Sequence, residues 1–494
     1  MSSNEDSKVV SRLYSVTILG SSVVIAAMLA ARVVLNFRNL YYMSHVQGAW
    51  LTCAYDFVHG VLYRPLFGPI GYGGTRFFPL YFVLTGSLSR IFGRLEDAGL
   101  ILSAASVLLL GCGCFVLLRR LNVSLLLSLA AVVAVVSAAT TQEALLTAKG
   151  DGLAAMLNIW GIALCLSPNN KEKRIWLYLG GALFSLAFAA KLTTVFGFAS
   201  VILVWTLSRR FEDMARLGVA TCLGYVAVVS AIYFGSGGRA LEIFRVCASG
   251  GGSITYALEA PLQMIGTALE YDPVMVVFLV PATAFAFSYF KKIPTEILPI
   301  YFFVVLAATT VIFGSRGTLS NHLLDLHVAG VLVLAYSTSR NPAFAEIGTG
   351  ILAAGLVVAS LQIATDLHYD FGKPSRRTEM RQLVEKIPSD GRPILAENAF
   401  VVVQSGKTPY LLDPFMFRVF TARYPVLGVE LRDKLAHQGF SAVVLERDPD
   451  SEVGRNWYKD VHFGGTFVQD LEANYSFSYS VGPESVYLPK ATQP

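Results

Sequence analysis

The sequence predicts a polytopic α-helical membrane protein of about 11–12 transmembrane helices with a small C-terminal α/β extramembrane domain. Three observations carry that reading. Of the 494 residues 54% are apolar and only 15% charged, and the mean hydropathy is +0.55; a soluble chain would carry charge on roughly a quarter of its residues. The charge is also unevenly placed, since 31 of the 73 charged residues fall in the last 125. Finally, the basic residues of the apolar part recur in short loops, which stay on the cytoplasmic side of a membrane. A soluble enzyme, a fibrous protein and a disordered chain are excluded. The net charge of +5 sits at loop ends and not in a stripe, so nucleic acid is not an expected partner.

Eleven candidate spans follow from windows of about 20 apolar residues: 13–36, 98–118, 122–147, 152–167, 175–190, 192–208, 216–234, 273–289, 294–313, 323–338 and 347–366. With this count Lys8 and Arg12, Arg119-Arg120, Lys171 to Arg174, Arg209-Arg210, Lys291-Lys292 and Arg340 share the cytoplasmic face. The first span reads as an uncleaved helix with a cytoplasmic N-terminus. Residues 77–93 would reverse this parity as a span, so they are expected to be re-entrant or interfacial. The stretch 175–208 would rise about 51 Å as one helix, too long for a bilayer, so two short helices hinged near Lys191 are expected. A lysine there needs a polar cavity or an anion.

The outer face then receives the loop 37–76, the Lys149-Gly150-Asp151 turn, the Lys191 hinge, the loops 235–272 and 314–322, and the tail from about 370. In the first loop His45, Thr52, Asp56 and His59 share one helical face, which predicts an amphipathic helix at the membrane interface. Tyr63, Arg64 and the glycine-rich run to Arg76 follow it. The two arginines suit a phosphate, which a guanidinium grips bidentately, or snorkel to lipid headgroups. Asp151 either caps a helix or does chemistry, and Lys149 either anchors or binds. Arg316, Asn321, His322 and Asp325 enter a transmembrane helix, where polar residues are costly and normally line a site. His322 and Asp325 alone make a weak metal-ligand signal. The six cysteines form no CxxC pair, which argues against a disulfide framework or a zinc site. In the tail, strands are expected at 393–396, 442–445 and 475–481, and helices near 376–386 and 428–438. Glu397 and Asp413 are expected in surface or capping roles.

At these residues the chain resembles the GT-C superfamily of membrane glycosyltransferases, close to family 39 and its RgtA-like relatives. The first loop of that family resembles Gly48-Ala49-Trp50, Asp56, Gly60, Leu62-Tyr63-Arg64 and Pro79-Leu80-Tyr81 in order. Its basic-x-Asp turn resembles Lys149-Gly150-Asp151, and its Phe-x-x-Lys turn resembles Phe188 to Lys191. Its Gly-rich, Asn-bearing segment resembles 314–325, and Leu395 to Asn398, Gly406-Lys407 and Asp413 to Phe415 resemble the outer domain of some members.

The resemblance implies a GT-C-like domain over 1–369 and an outer α/β domain over 370–494. It implies transfer of a sugar from a polyprenyl-phosphate donor to a lipid, glycan or protein acceptor at the outer face of a bacterial inner membrane. Arg64, Arg76, Lys149, Lys191 and Arg316 would meet the donor phosphate, and Gln47, Tyr63, Asn321, His322 and Asp325 would contact substrate. No organic cofactor is implied, and a divalent metal stays open. The sequence departs from the pattern at one place: where the family has an acidic pair this chain has Val46-Gln47, and glutamine is no base. The base is then Asp151, Asp56 or His45, or the protein is a non-catalytic scaffold in polysaccharide assembly. A lipid or sugar transporter is a third reading, against which stands the lack of pseudo-symmetric halves with paired broken helices.

Overall fold

The computed structural model describes residues 2–166, 173–247, 254–289, 296–315, 318–388 and 390–491. Four helices among them are long and apolar enough to cross a membrane: Arg12–Asn39, Leu95–Arg120, Phe211–Gly235 and Pro342–Lys386. Leu125–Ser137 and Ala139–Leu146 form one further candidate, bent by 69°, and five apolar helices are shorter. Each of the eleven spans expected from hydropathy falls on one of these helices, on the bent pair, or on the helix Leu324–Arg340. The chain is a multi-pass α-helical membrane protein with a small C-terminal sheet. Lys171, Glu172, Lys291, Lys292 and the candidate Arg316 lie outside the described residues.

Two compact units divide the chain. The first joins residues 1–35, 100–229 and 252–372; the second joins 36–99, 230–251 and 373–494. The first outer loop therefore groups with the C-terminal segment, not with the membrane helices that flank it in sequence.

In the first unit the helix Leu324–Arg340 is buried on every face from Leu324 to Thr338. Around it pack Pro273–Tyr289, Ile297–Phe313 and Pro342–Gly372. The helices Asp151–Cys165 and Lys173–Ala190 lie close because glycines face the contact: a Cβ on Gly161 would stand 2.5 Å from the Phe184 ring. The expected hinge is present, since one helix ends at Ala190 and the next begins at Phe196. The loop 235–272 is less open than expected, because it holds the helices Arg239–Cys247 and Ile254–Tyr271. Arg239–Cys247 has nine residues, and Ile254–Tyr271 carries Glu259, Gln263 and Glu270, so neither registers as a span.

The bend between Leu125–Ser137 and Ala139–Leu146 has a local cause. A new helix start exposes N–H groups without intrahelical acceptors. Asp272 supplies one: its Oδ2 accepts from the Thr140 backbone N–H at 2.9 Å and from the Thr140 hydroxyl at 3.0 Å. Its Oδ1 accepts from Met275 N–H at 3.1 Å, at the start of the helix Pro273–Tyr289. One fully buried carboxylate thus serves two helix N-termini, where the dipoles favour negative charge.

In the second unit the helix His45–Val58 packs against Pro79–Phe92 and Ala399–Gln404. It is buried on most faces, including Gln47, Thr52 and Asp56, so its polar edge turns inward and does not meet water. Close approach is the reason: a Cβ on Gly48 would fall 1.9 Å from Asn398 Oδ1. Pro79–Phe92 has 14 residues, a rise of about 21 Å, close in length to the helices Asp151–Cys165 and Phe196–Leu207. The four strands run in the order Ile394–Ala396, Ala442–Leu445, Glu484–Pro489, Tyr475–Val481, the first pair parallel and the others antiparallel. The strand Glu484–Pro489 was not expected, since Pro483 and the charge at Glu484 obscure its alternation. Tyr72 N–H donates to Tyr410 O at 2.8 Å and Leu412 N–H to Tyr72 O at 3.1 Å, which fixes the glycine-rich loop. Gly71 sits there at φ +133°, against the Tyr410 carbonyl.

Replacing Asp272 by alanine would leave the Thr140 N–H without its acceptor and remove a cap. Asp272→Ala is expected to cost about 2–4 kcal/mol, read as a lowered unfolding midpoint in detergent. Asp272→Asn, which keeps one acceptor oxygen, should cost less; equal midpoints for Asp272→Ala and the parent would refute the role.

Candidate functional site

The first unit gathers polar groups at the start of the helix Asp151–Cys165. Asp151 is the first residue of that helix, and its side chain makes no capping bond. Instead its Oδ1 accepts from Lys191 Nζ at 2.6 Å and from Asn321 Nδ2 at 3.0 Å. Among the described residues Oδ2 has no donor. The capping reading is therefore corrected, and the Lys191 hinge expected from chain length delivers its lysine to this carboxylate. His322 and Lys149 act on Asp151 electrostatically, and Asp325 feels the charges of both Lys191 and Asp151. Asp325 is 5% exposed and its Oδ1 lacks a partner among the described residues. Five expected residues, Lys149, Asp151, Lys191, His322 and Asp325, thus share one electrostatic neighbourhood, with Asn321 bonded into it.

Lys149 does not stand open to a ligand. Its Nζ pairs with Glu143 Oε1 at 2.5 Å, and Glu143 Oε2 accepts from the Ser320 hydroxyl at 3.2 Å. The sequence reading missed Glu143, although an acid inside the apolar run 122–147 is itself a signal.

The second unit treats its expected residues differently. Arg64 grips Asp56 bidentately, Nε to Oδ2 at 2.6 Å and Nη2 to Oδ1 at 2.7 Å, while Nη1 donates to Pro409 O at 2.9 Å. Burial pushes the Asp56 pKa up, and Arg64 opposes it without cancelling it. Both carboxylate oxygens and the guanidinium fork are occupied in this arrangement. Tyr63 is 3% exposed and donates its hydroxyl to Phe77 O at 2.8 Å. Gln47, 2% exposed, donates its amide to Tyr42 O. These two were expected to contact substrate; here the Tyr63 hydroxyl and the Gln47 amide nitrogen donate to backbone carbonyls, because a buried loop must satisfy its own groups. Arg76 lies over the Phe415 ring at 4.3 Å and pairs with no carboxylate among the described residues.

His45, the third candidate base, pairs with Glu446: Nδ1 to Oε2, 2.7 Å. Burial lowers its pKa, but Glu446, Glu397 and Asp413 outweigh burial and hold it raised. The His45 Nδ1 is thus taken up by the Glu446 carboxylate. Glu397 is 1% exposed, not at the surface as expected, and Trp457 Nε1 and His462 Nδ1 both donate to its Oε1 at 2.8 Å. Burial would raise Glu397, yet His462 and these donors hold it low. Burial lowers the His462 pKa, and because the carboxylate can only accept, its Nδ1 carries the hydrogen of that bond. Asp413 does cap a helix, accepting from Met416 N–H at 3.1 Å. Glu446, Trp457 and His462 were not singled out in sequence, since nothing local marks residues brought together from separate segments.

No family model and no curated protein matches the chain. Solved structures do. The protein ArnT from Cupriavidus metallidurans, in the apo state, aligns at 13% identity with TM-score 0.59, over 94% of this chain and 97% of that one. The same protein bound to undecaprenyl phosphate aligns at 13% identity with TM-score 0.59, over 96% and 98%. An oligosaccharyltransferase from Archaeoglobus fulgidus, in complex with zinc and sulfate, aligns at 13% identity with TM-score 0.56, over 94% and 73%. The chain has the GT-C glycosyltransferase fold.

Arg64→Ala would leave the Asp56 carboxylate buried without its counter-charge. That change is expected to cost about 3–5 kcal/mol in thermal or denaturant unfolding. Adding Asp56→Ala should recover part of the loss; a double variant no more stable than Arg64→Ala would contradict the pairing.

Proposed function

We propose that this GT-C-fold protein is a glycosyltransferase that moves a sugar from a polyprenyl-phosphate donor to a lipid, glycan or protein acceptor at the outer face of a bacterial inner membrane. The observation that carries the reading is the Asp151, Lys191 and Asn321 cluster at a helix start. In support stands the likeness in fold to a protein solved with undecaprenyl phosphate.

Substitution at an anomeric carbon asks two things of a protein. The acceptor hydroxyl must lose its proton as its oxygen attacks, and the departing phosphate must be met by positive charge. Asp151 answers the first, with Oδ2 presented for the proton and Oδ1 held by Asn321. Lys191 answers the second. In the resting arrangement the lysine neutralises Asp151 at 2.6 Å. An arriving phosphate competes for that ammonium, and as the lysine turns to it the carboxylate becomes a stronger base. The exchange couples donor binding to activation of the acceptor. Lys149, held by Glu143, adds field at the same place, and His322 and Asp325 complete the polar wall. Val46-Gln47 is then no loss, because the base lies in the other unit.

Membranes carrying the protein, given a panel of radiolabelled polyprenyl-phosphate sugars, test this. Asp151→Asn should insert normally and lower transfer by about 100-fold or more, whereas Asp56→Asn should retain transfer in whatever fraction folds. Full transfer by Asp151→Asn would remove Asp151 as base. Transfer by no donor in the panel, with the protein folded, would favour the scaffold reading, and sugar uptake into proteoliposomes would favour the transporter.

A further inference from the structure

We propose that His45, Glu397 and Glu446 bind one divalent transition-metal ion of the zinc type. A ring nitrogen of His45 and one oxygen from each carboxylate all lie within 4.8 Å of one another. Tetrahedral sites with bonds of about 2.0–2.2 Å place their donor atoms roughly 3.3–3.6 Å apart, so modest side-chain rotation closes the set around an ion. One imidazole with two carboxylates suits zinc and its neighbours better than calcium or magnesium, which prefer oxygen alone.

The backbone brings the three together for reasons unrelated to their charge. Leu395 pairs with Val443 and Ala396 with Val444 in adjacent parallel strands. Glu397 and Glu446 follow those strands directly, so two acids emerge side by side at the same end of the sheet. Glu397 N–H donates to Val444 O at 2.9 Å and fixes the offset. His45 starts the helix whose Gly48 touches Asn398, and only glycine permits that approach. Two neighbouring carboxylates repel, and a nearby cation removes that cost.

Ligating carboxylates are normally held by further hydrogen bonds. Glu397 has them: Trp457 and His462 donate to Oε1, and Glu446 N–H donates to Oε2 at 2.8 Å. The fourth donor is divided. The Tyr458 hydroxyl has one hydrogen, contested by Glu397 Oε2 and Arg447 O, each 2.9 Å away. When Tyr458 gives it to Arg447, a lone pair on Oε2 is released to an ion. Glu446 is the adaptable member, with 16% of its side chain exposed and one oxygen shared with Asn398 Nδ2 at 3.3 Å. A further negative charge stands by: Asp413, 5% exposed, acts on both His45 and His462, and its Oδ2 has no partner among the described residues.

The test uses the full chain in detergent, without a histidine tag, stripped with chelator and desalted. Equilibrium dialysis against zinc with elemental analysis should give one ion per chain. Cobalt should give the visible absorption of a tetrahedral site, and zinc should raise the unfolding midpoint. His45→Ala and Glu446→Gln should each weaken binding at least about 10-fold and abolish the zinc-dependent shift, while His437→Ala should not. If Glu446→Gln folds and binds zinc as the parent does, or if the parent takes up no stoichiometric ion, the site does not exist. Metal content is independent of sugar transfer, so failure here leaves the proposed reaction untouched, and the reverse also holds.

Discussion

A carboxylate inside an apolar helical bundle is costly without donors, and in the first unit Asp272 and Asp151 meet theirs where helices begin. Asp272 sits at a bend because two helix starts offer it N–H groups and a hydroxyl. Asp151 sits at another helix start, but its partners come from side chains of a hinge and of a loop near residue 320. Asp272 has both oxygens bonded at helix starts, whereas Asp151 has one oxygen held by two side chains and one without a donor among the described residues. Glu143 repeats the theme, joined to Lys149 and Ser320. Short helices, costly in a bilayer of full thickness, are what allow these polar ends to gather.

The second unit obeys the same rule with the opposite result. Its loop 37–76 carries residues that look reactive in sequence, yet packing against the sheet domain consumes them. Arg64 and Asp56 neutralise one another, Tyr63 and Gln47 serve carbonyls, and Gly48 and Gly71 are fixed by close backbone and side-chain approach.

Much of this is legible in the sequence. Hydropathy locates the apolar helices, and a single helix over 175–208 would rise about 51 Å, which requires the hinge that delivers Lys191 to Asp151. The polar cluster at 321–325 was visible because amides and acids are expensive in lipid. What sequence could not show was pairing. Periodicity says that His45 and Asp56 share a face, but not that the face meets Glu446 and Arg64. Long-range partners such as Asp272 with Thr140, or Glu397 with His462, leave no local trace. The strand Glu484–Pro489 was lost for a related reason, since a hairpin partner is recognised by its neighbour more than by its own residues.

The central claim is that Asp151 and Lys191 act as a single device in which a phosphate takes over the lysine and frees the carboxylate. A double-mutant cycle on transfer rate tests it most directly. Asp151→Asn, Lys191→Met and their combination would be compared with the parent using the same donor. Residues acting as a unit give strongly non-additive losses, so the double variant should be little slower than the slower single one. Losses that multiply, or a Lys191→Met protein that transfers at the parental rate, would contradict the account.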